Sequence, residues 1–136
     1  MNIVGLYGGS GFIGSHFQSM LNKISDDTKV FLLPHRKSNN EIKSALKKFD
    51  AINSKNAQKS ILYLGENNDI TKANKSGLEY IKKNTERLKF ILSNSKSRII
   101  YASSVAIYGD SSERLHYPED KVEAANVYTN SKLECE

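Results

Sequence analysis

The 136-residue chain contains one cysteine, Cys135. A lone thiol cannot close an internal disulfide and lacks the companions of a metal site. The three histidines, His16, His35 and His116, show no ligand spacing, so no metal is expected. Long apolar runs are missing too. None approaches the roughly 20 residues that span a bilayer, and mean hydropathy is -0.53. The N-terminus lacks the basic stretch and long apolar core of a secretory leader. The expectation is a soluble chain, cytoplasmic by default, with no membrane partner. A dense basic block is also absent. The formal net charge is +5, but the lysines are scattered from Lys23 to Lys132 with Asp and Glu between them. That pattern reads as a solvated face and not as a nucleic-acid surface. No RNA-type aromatic motif accompanies it, so no nucleic-acid partner is expected. Internal repeats and low-complexity tracts do not occur.

What is present is an ordinary globular composition, 38% hydrophobic and 26% charged. The length suits one domain over residues 1–136 and is enough to bury a core. Asn2 to Tyr7 is a short apolar run that reads as a buried strand. Phe12, Ile13, Phe17, Met20, Leu21 and Ile24 recur at helical spacing, and Ser25-Asp26-Asp27 ends that helix. Lys29 to Leu33 reads as a second strand, closed by Pro34. Asn40 to Phe49 reads as a helix through Ile42, Leu46 and Phe49. Ala51 to Lys59 reads as loop, and Ser60 to Gly65 as a strand. Leu78, Ile81, Leu88, Ile91 and Leu92 predict one long amphipathic helix over Lys75 to Asn94. Ser97 to Ser103 reads as a strand, Ser111 to Ala125 as a polar loop, and Val127 to Glu136 as the start of a helix. Strands alternating with helices predict an α/β fold with a doubly wound parallel sheet of the Rossmann type.

Gly8-Gly9-Ser10-Gly11-Phe12-Ile13-Gly14 leaves the first strand and opens the first helix. That position gives the motif its weight. Gly8 would permit the tight turn, Gly11 would let the backbone approach a pyrophosphate, and Gly14 would let the helix pack close to the sheet. The anion would rest on the helix N-terminal amides. No Lys-Ser or Lys-Thr follows the last glycine, which disfavours a P-loop NTPase. The expected ligand is therefore NAD or NADP, and Gly8, Ser10, Gly11, Phe12, Ile13 and Gly14 are its candidate contacts.

The end of the second strand should meet the adenosine ribose. It reads Leu33-Pro34-His35-Arg36-Lys37 and offers no carboxylate for a 2′-hydroxyl. Arg36 can clamp a 2′-phosphate in bidentate fashion. With Lys37 it favours NADP over NAD; the alternative is that both are exposed loop charges.

Tyr128 and Lys132 stand at i and i+4 of a predicted helix and share a face. Tyrosine is a poor base at neutral pH, and an adjacent ammonium favours its phenolate. Such a pair can move a proton to or from an alcohol while hydride moves to or from nicotinamide. Ser104 follows an apolar strand, at the end where open α/β sheets bind ligands. By itself the Tyr–Lys pair reads more readily as a surface pair than as a catalytic one.

Together these residues resemble the extended short-chain dehydrogenase/reductase superfamily, the nucleotide-sugar epimerases and dehydratases. Gly8, Gly11 and Gly14 match its G-x-x-G-x-x-G. Ser103-Ser104-Val105-Ala106-Ile107-Tyr108-Gly109 resembles its S-S-x-x-x-Y-G, and Tyr128-Thr129-Asn130-Ser131-Lys132 its Y-x-x-S-K. Glu136, Asn84-Thr85 and Pro118-Glu119 also fall in place, in the family's order. The resemblance implies Tyr128 as acid/base, Lys132 as its activator and a ribose ligand, and Ser104 as the group that orients substrate. It implies Leu64, Gly65 and Asn84 as further cofactor contacts, and a nucleotide-sugar substrate oxidised transiently at a sugar carbon. It also implies a homodimer through the helices from Lys75 and from Val127.

Three departures qualify the resemblance. The stretch before Ser60 is short and lacks the strand whose aspartate usually contacts adenine. Glu66 stands where a small residue is usual and is expected to crowd or repel the cofactor. Ala125-Asn126 replaces a proline before the tyrosine. Relatives also continue for a comparable length, so the chain is expected to be an N-terminal portion without the substrate-binding part. A fragment, a truncated product and one part of a larger assembly all fit, and a dinucleotide-binding module without catalysis is the competing reading.

Overall fold

The structure is a computed structural model that describes residues 1–24, 27–52, 57–109 and 115–136. Its four strands are β1 (Asn2–Tyr7), β2 (Thr28–Leu33), β3 (Gln58–Tyr63) and β4 (Arg98–Tyr101). The helices are α1 (Phe12–Ile24), α2 (Asn39–Ala51), α3 (Ile70–Ser76), α4 (Leu78–Asn94) and α5 (Val127–Cys135), with a 3-10 turn over Val105–Tyr108. The strands form one parallel sheet in the order β2-β1-β3-β4. The fold is α/β and Rossmann-like. The strand order switches direction at β1, the place where such sheets open a ligand crevice beyond their carboxyl ends.

The chain divides into two compact units, Met1–Glu66 with Phe90–Ala102, and Asn67–Lys89 with Ser103–Glu136. In the first unit the sheet buries Ile3, Leu6, Tyr7, Leu33, Ile61 and Tyr63, and α2 adds Ile42, Leu46 and Phe49. Phe49 reaches the sheet because Gly5 has no side chain; a Cβ there would meet its ring at 3.0 Å. The opposite sheet face, carrying Leu32 and Ile100, is only half covered. Both side chains are exposed, and a recess of about 510 Å³ runs between α1 and the strands, past Val4, Phe17, Leu21 and Ile100.

Asp50, near the end of α2, ties the first unit together. Its carboxylate accepts from the hydroxyls of Ser95 and Ser97 at 2.9 Å and from the Lys96 amide at 3.0 Å. Lys59 donates to the Asp50 carbonyl at 2.7 Å, closing the helix end. Removing an acceptor that serves three donors leaves them unpaired. Asp50→Ala should therefore lower stability by about 3 kcal/mol, read as a fall in the urea midpoint. An unchanged midpoint would show that the cluster is ornamental.

At its other end α2 carries a capping box. Ser38 accepts from the Glu41 amide, and Glu41 accepts from the Ser38 amide. The Ser38 hydroxyl and amide hold the Glu41 carboxyl below its usual value. This contribution is present at neutral pH and is lost as pH falls through that lowered value.

The second unit buries Ala73, Tyr80, Leu88 and Ile107. Here α5 packs against α3 and against the 3-10 turn. The long helix expected over Lys75 to Asn94 is in fact two. The chain breaks at Gly77, whose φ of +52° closes α3 and starts α4. The apolar residues that mark the helix all lie beyond Gly77, so the periodicity holds for α4, and only its start lies three residues later than expected.

Other boundaries move by a few residues. The strand expected over Ser60 to Gly65 runs Gln58–Tyr63, and the one over Ser97 to Ser103 runs Arg98–Tyr101. Ala51, read as loop, ends α2. Several of the apolar residues read at helical spacing are exposed, namely Phe12, Ile13, Met20, Leu78 and Leu92. Parts of three readings lie outside the described residues: the helix end at Ser25-Asp26 with the side chain of Ile24, residues 53–56 of the Ala51 loop, and residues 110–114 near the Ser111 loop.

Candidate functional site

In the first unit the glycine loop is built by close backbone packing. Gly8 has φ +93°, and a Cβ there would stand 2.6 Å from the Gly65 amide nitrogen. The Leu64 amide donates to the Tyr7 carbonyl at 2.9 Å. The ends of β1 and β3 therefore meet backbone to backbone, with Gly8, Leu64 and Gly65 at the junction. At Gly14 a Cβ would lie 2.4 Å from the Gly8 carbonyl oxygen. At Gly11 the same test finds only that oxygen, at 3.3 Å. The loop is thus tight where it meets protein and open where a ligand would approach. Ser10, Gly11, Phe12 and Ile13 are exposed around that opening, while Gly8 and Gly14 are buried beneath it. The first turn of α1 holds no acidic residue to neutralise its amides. These features fit a diphosphate.

His35 and Tyr7 complete this end of the sheet, and the sequence did not single out either. The His35 Nε2 donates to the Gly65 carbonyl at 2.9 Å. Its ring meets the Tyr7 ring edge-on at 5.3 Å. Tyr7 in turn packs against Gly65, where a Cβ would fall 2.3 Å from the phenol ring. No local signal marks a contact thirty residues apart in sequence. Arg36 is exposed and sits at φ 59°, a left-handed conformation that is strained for arginine. The Lys37 ammonium lies 4.0 Å from the Glu41 carboxylate. Glu66 is half-buried, and both of its oxygens stand 2.9 Å from the Tyr101 hydroxyl.

In the second unit α5 carries Tyr128 and Lys132. Asn126 caps the helix by accepting from the Thr129 amide at 3.0 Å, and Thr129 returns a bond to the Asn126 amide at 3.1 Å. This box gives the missing proline a physical substitute, and the Asn126-x-x-Thr129 spacing could have revealed it. The Lys132 side chain is 4% exposed, and its ammonium stands 5.8 Å from the Tyr128 ring centroid. Next to it in sequence, buried Ser131 accepts from the Asn84 amide at 3.0 Å. Asn84 also bonds the backbone of Asn67. The Asn84 side chain thus serves to anchor α5 and the Asn67 turn. Ser104 accepts from the Ala106 amide at 3.3 Å and so begins the 3-10 turn, which leaves its O–H to donate. Ser103 donates to Glu136.

The ordered set of motifs is matched by a family comparison over nearly the whole chain. Residues 4–136 fit the NAD dependent epimerase/dehydratase family. The chain belongs to this family. A search of curated proteins finds no match. Several solved structures share the fold. One is RMD from Pseudomonas aeruginosa complexed with NADPH, 20% identical with a TM-score of 0.80, where the match covers 99% of this chain and 46% of that one. Another is UDP-glucose 4-epimerase from Brucella ovis in complex with NAD, at 17% identity and a TM-score of 0.74 with the same coverage. A third is the UDP-Glc/GlcNAc 4-epimerase from Campylobacter jejuni, at 19% and 0.69, covering 99% of this chain and 47% of that one. This family member therefore spans under half the length of the structures it matches. Among the described residues no helix is long and apolar enough to cross a membrane. No group of three or more metal-ligating side chains occurs among them either.

Proposed function

We propose that this chain binds NADP or NAD at the glycine loop and supports oxidoreductase chemistry on a nucleotide sugar, with Tyr128 as the acid/base. The observation that carries the reading is Lys132. Its side chain is only 4% exposed and its ammonium stands 5.8 Å from the Tyr128 ring, so a fixed positive charge is held beside the phenol. When bound, the nicotinamide supplies a place for a hydride to go to and return from. The chain's own residues do the rest. The amides after Gly11 hold the diphosphate. Tyr128, with the Lys132 ammonium beside it, takes a proton from a sugar hydroxyl and gives it back. The Ser104 hydroxyl donates to the same substrate oxygen. RMD with NADPH and the Brucella ovis epimerase with NAD, both of the same fold, support the cofactor class.

For the choice of cofactor, Arg36 is the reader of a 2′-phosphate, with no carboxylate nearby on that strand end. Calorimetric titration with NADPH and NADH tests this directly. NADPH should bind more tightly, and Arg36→Ala should weaken it about tenfold while leaving NADH within a factor of two. Preference for NADH would discard the role of Arg36. Binding of neither would defeat the dinucleotide reading.

A second reading is a dinucleotide-binding module without turnover. It draws on Glu66, a carboxylate at the cofactor end of β3. In that case Tyr128→Phe changes no activity at all.

A further inference from the structure

Glu66 lies three residues past the end of β3, at the carboxyl end of this sheet. It comes right after Leu64 and Gly65, the backbone that meets Gly8. Its carboxylate is engaged by the hydroxyl of Tyr101, which ends β4 and stands in register with Tyr63 of β3. The three tyrosines Tyr7, Tyr63 and Tyr101 lie side by side across β1, β3 and β4. Tyr7 and Tyr63 stack at 5.0 Å, and Tyr63 and Tyr101 are 6.0 Å apart. The phenol that holds Glu66 is thus itself held by a packed row of rings.

Dinucleotide sheets consist of two mononucleotide halves that meet at the switch point. Here β1 and β2 form the half with the glycine loop and Arg36, the adenosine side. Strands β3 and β4 form the other half, on the nicotinamide side. Glu66 joins the ends of β3 and β4, so its negative charge would face the nicotinamide side of a bound dinucleotide. The oxidised nicotinamide ring is cationic and the reduced ring is neutral. A carboxylate fixed nearby and only half exposed therefore distinguishes the two by Coulomb attraction. Repulsion between Glu66 and the cofactor phosphates is the same for both forms and cancels in their ratio.

We propose that Glu66, positioned by Tyr101, sets the preference of this site for the oxidised dinucleotide over the reduced one. The inference rests on the reading that the chain binds a nicotinamide dinucleotide. It turns the carboxylate that was expected to crowd the cofactor into a determinant of its redox state.

Calorimetric titration of the whole chain with NADP⁺, NADPH and 2′-phospho-ADP-ribose provides the test, with the NAD series run in parallel. In Glu66→Gln the ratio of oxidised to reduced affinity should fall about fivefold. The fragment without nicotinamide should bind as well as before, or better. Tyr101→Phe keeps the charge but releases it, and should lower the ratio by a smaller factor. An unchanged ratio in Glu66→Gln, with both forms still bound, overturns the proposal. So does an equal loss across all three ligands, which marks a structural role only. If wild-type chain binds neither form, the dinucleotide reading itself has failed, and this inference goes with it.

Discussion

Gly14→Ala should destabilise the chain by about 3 kcal/mol and remove dinucleotide binding, whereas Gly11→Ala should fold normally and bind at least tenfold more weakly. The difference comes from what each new methyl group meets. At Gly14 the Cβ would stand 2.4 Å from the Gly8 carbonyl oxygen and 2.7 Å from the Gly9 Cα. Both are backbone atoms, and Gly8 is itself pinned against Gly65. Neither can move without parting α1 from β1. At Gly11 the methyl group would meet only the Gly8 oxygen, at 3.3 Å. It would project into the opening where a pyrophosphate is expected. Urea unfolding separates the two variants in stability, and calorimetry with NADPH separates them in function. Wild-type affinity in Gly11→Ala would mean that the loop is not the phosphate cradle.

Tyr128→Phe should lower turnover of a nucleotide sugar about a thousandfold while leaving cofactor affinity within a few-fold, the size expected when a positioned general acid/base is lost. The phenol ring stays and only the proton-carrying oxygen goes, so the capping box under it is undisturbed. Lys132→Met keeps most of the buried volume and removes the ammonium. It should lower turnover by a similar factor and also weaken the cofactor, because the reading gives Lys132 a ribose contact. A full rate in Tyr128→Phe would remove the acid/base assignment and leave the module without catalysis as the surviving account. Measuring both variants in single-turnover format keeps chemistry separate from product release.

These expectations lean on features with very different visibility in the sequence. The glycine loop was legible because its chemistry is local. A strand end, three glycines at fixed spacing and a helix start are all written in consecutive residues. The Tyr128–Lys132 pair was legible for the same reason, since helical spacing alone puts both on one face. The break at Gly77 was not. The apolar positions that marked the helix all follow Gly77, and only the positive φ there closed α3 and set the start of α4. Boundaries at Gln58 and Arg98 also escaped, because strand ends are set by partners in the sheet and not by the residues themselves.

By itself the sequence determined the class of fold, the alternation of strands and helices, the glycine loop and the family whose motifs run from Gly8 to Glu136. All of these depend on spacing along the chain. Tertiary structure alone decided that Gly65 must be glycine because the Tyr7 ring fills its side-chain space. It alone tied His35 to Gly65, Asn84 to Ser131, Asp50 to Ser95 and Ser97, and Glu66 to Tyr101. It also left Phe12 and Ile13 exposed at the loop instead of burying them in a core. Each of these is a contact, or the lack of one, between segments far apart in sequence. Hydrophobic pattern specifies which residues seek cover, but only the packed sheet and helices determine which of them find it.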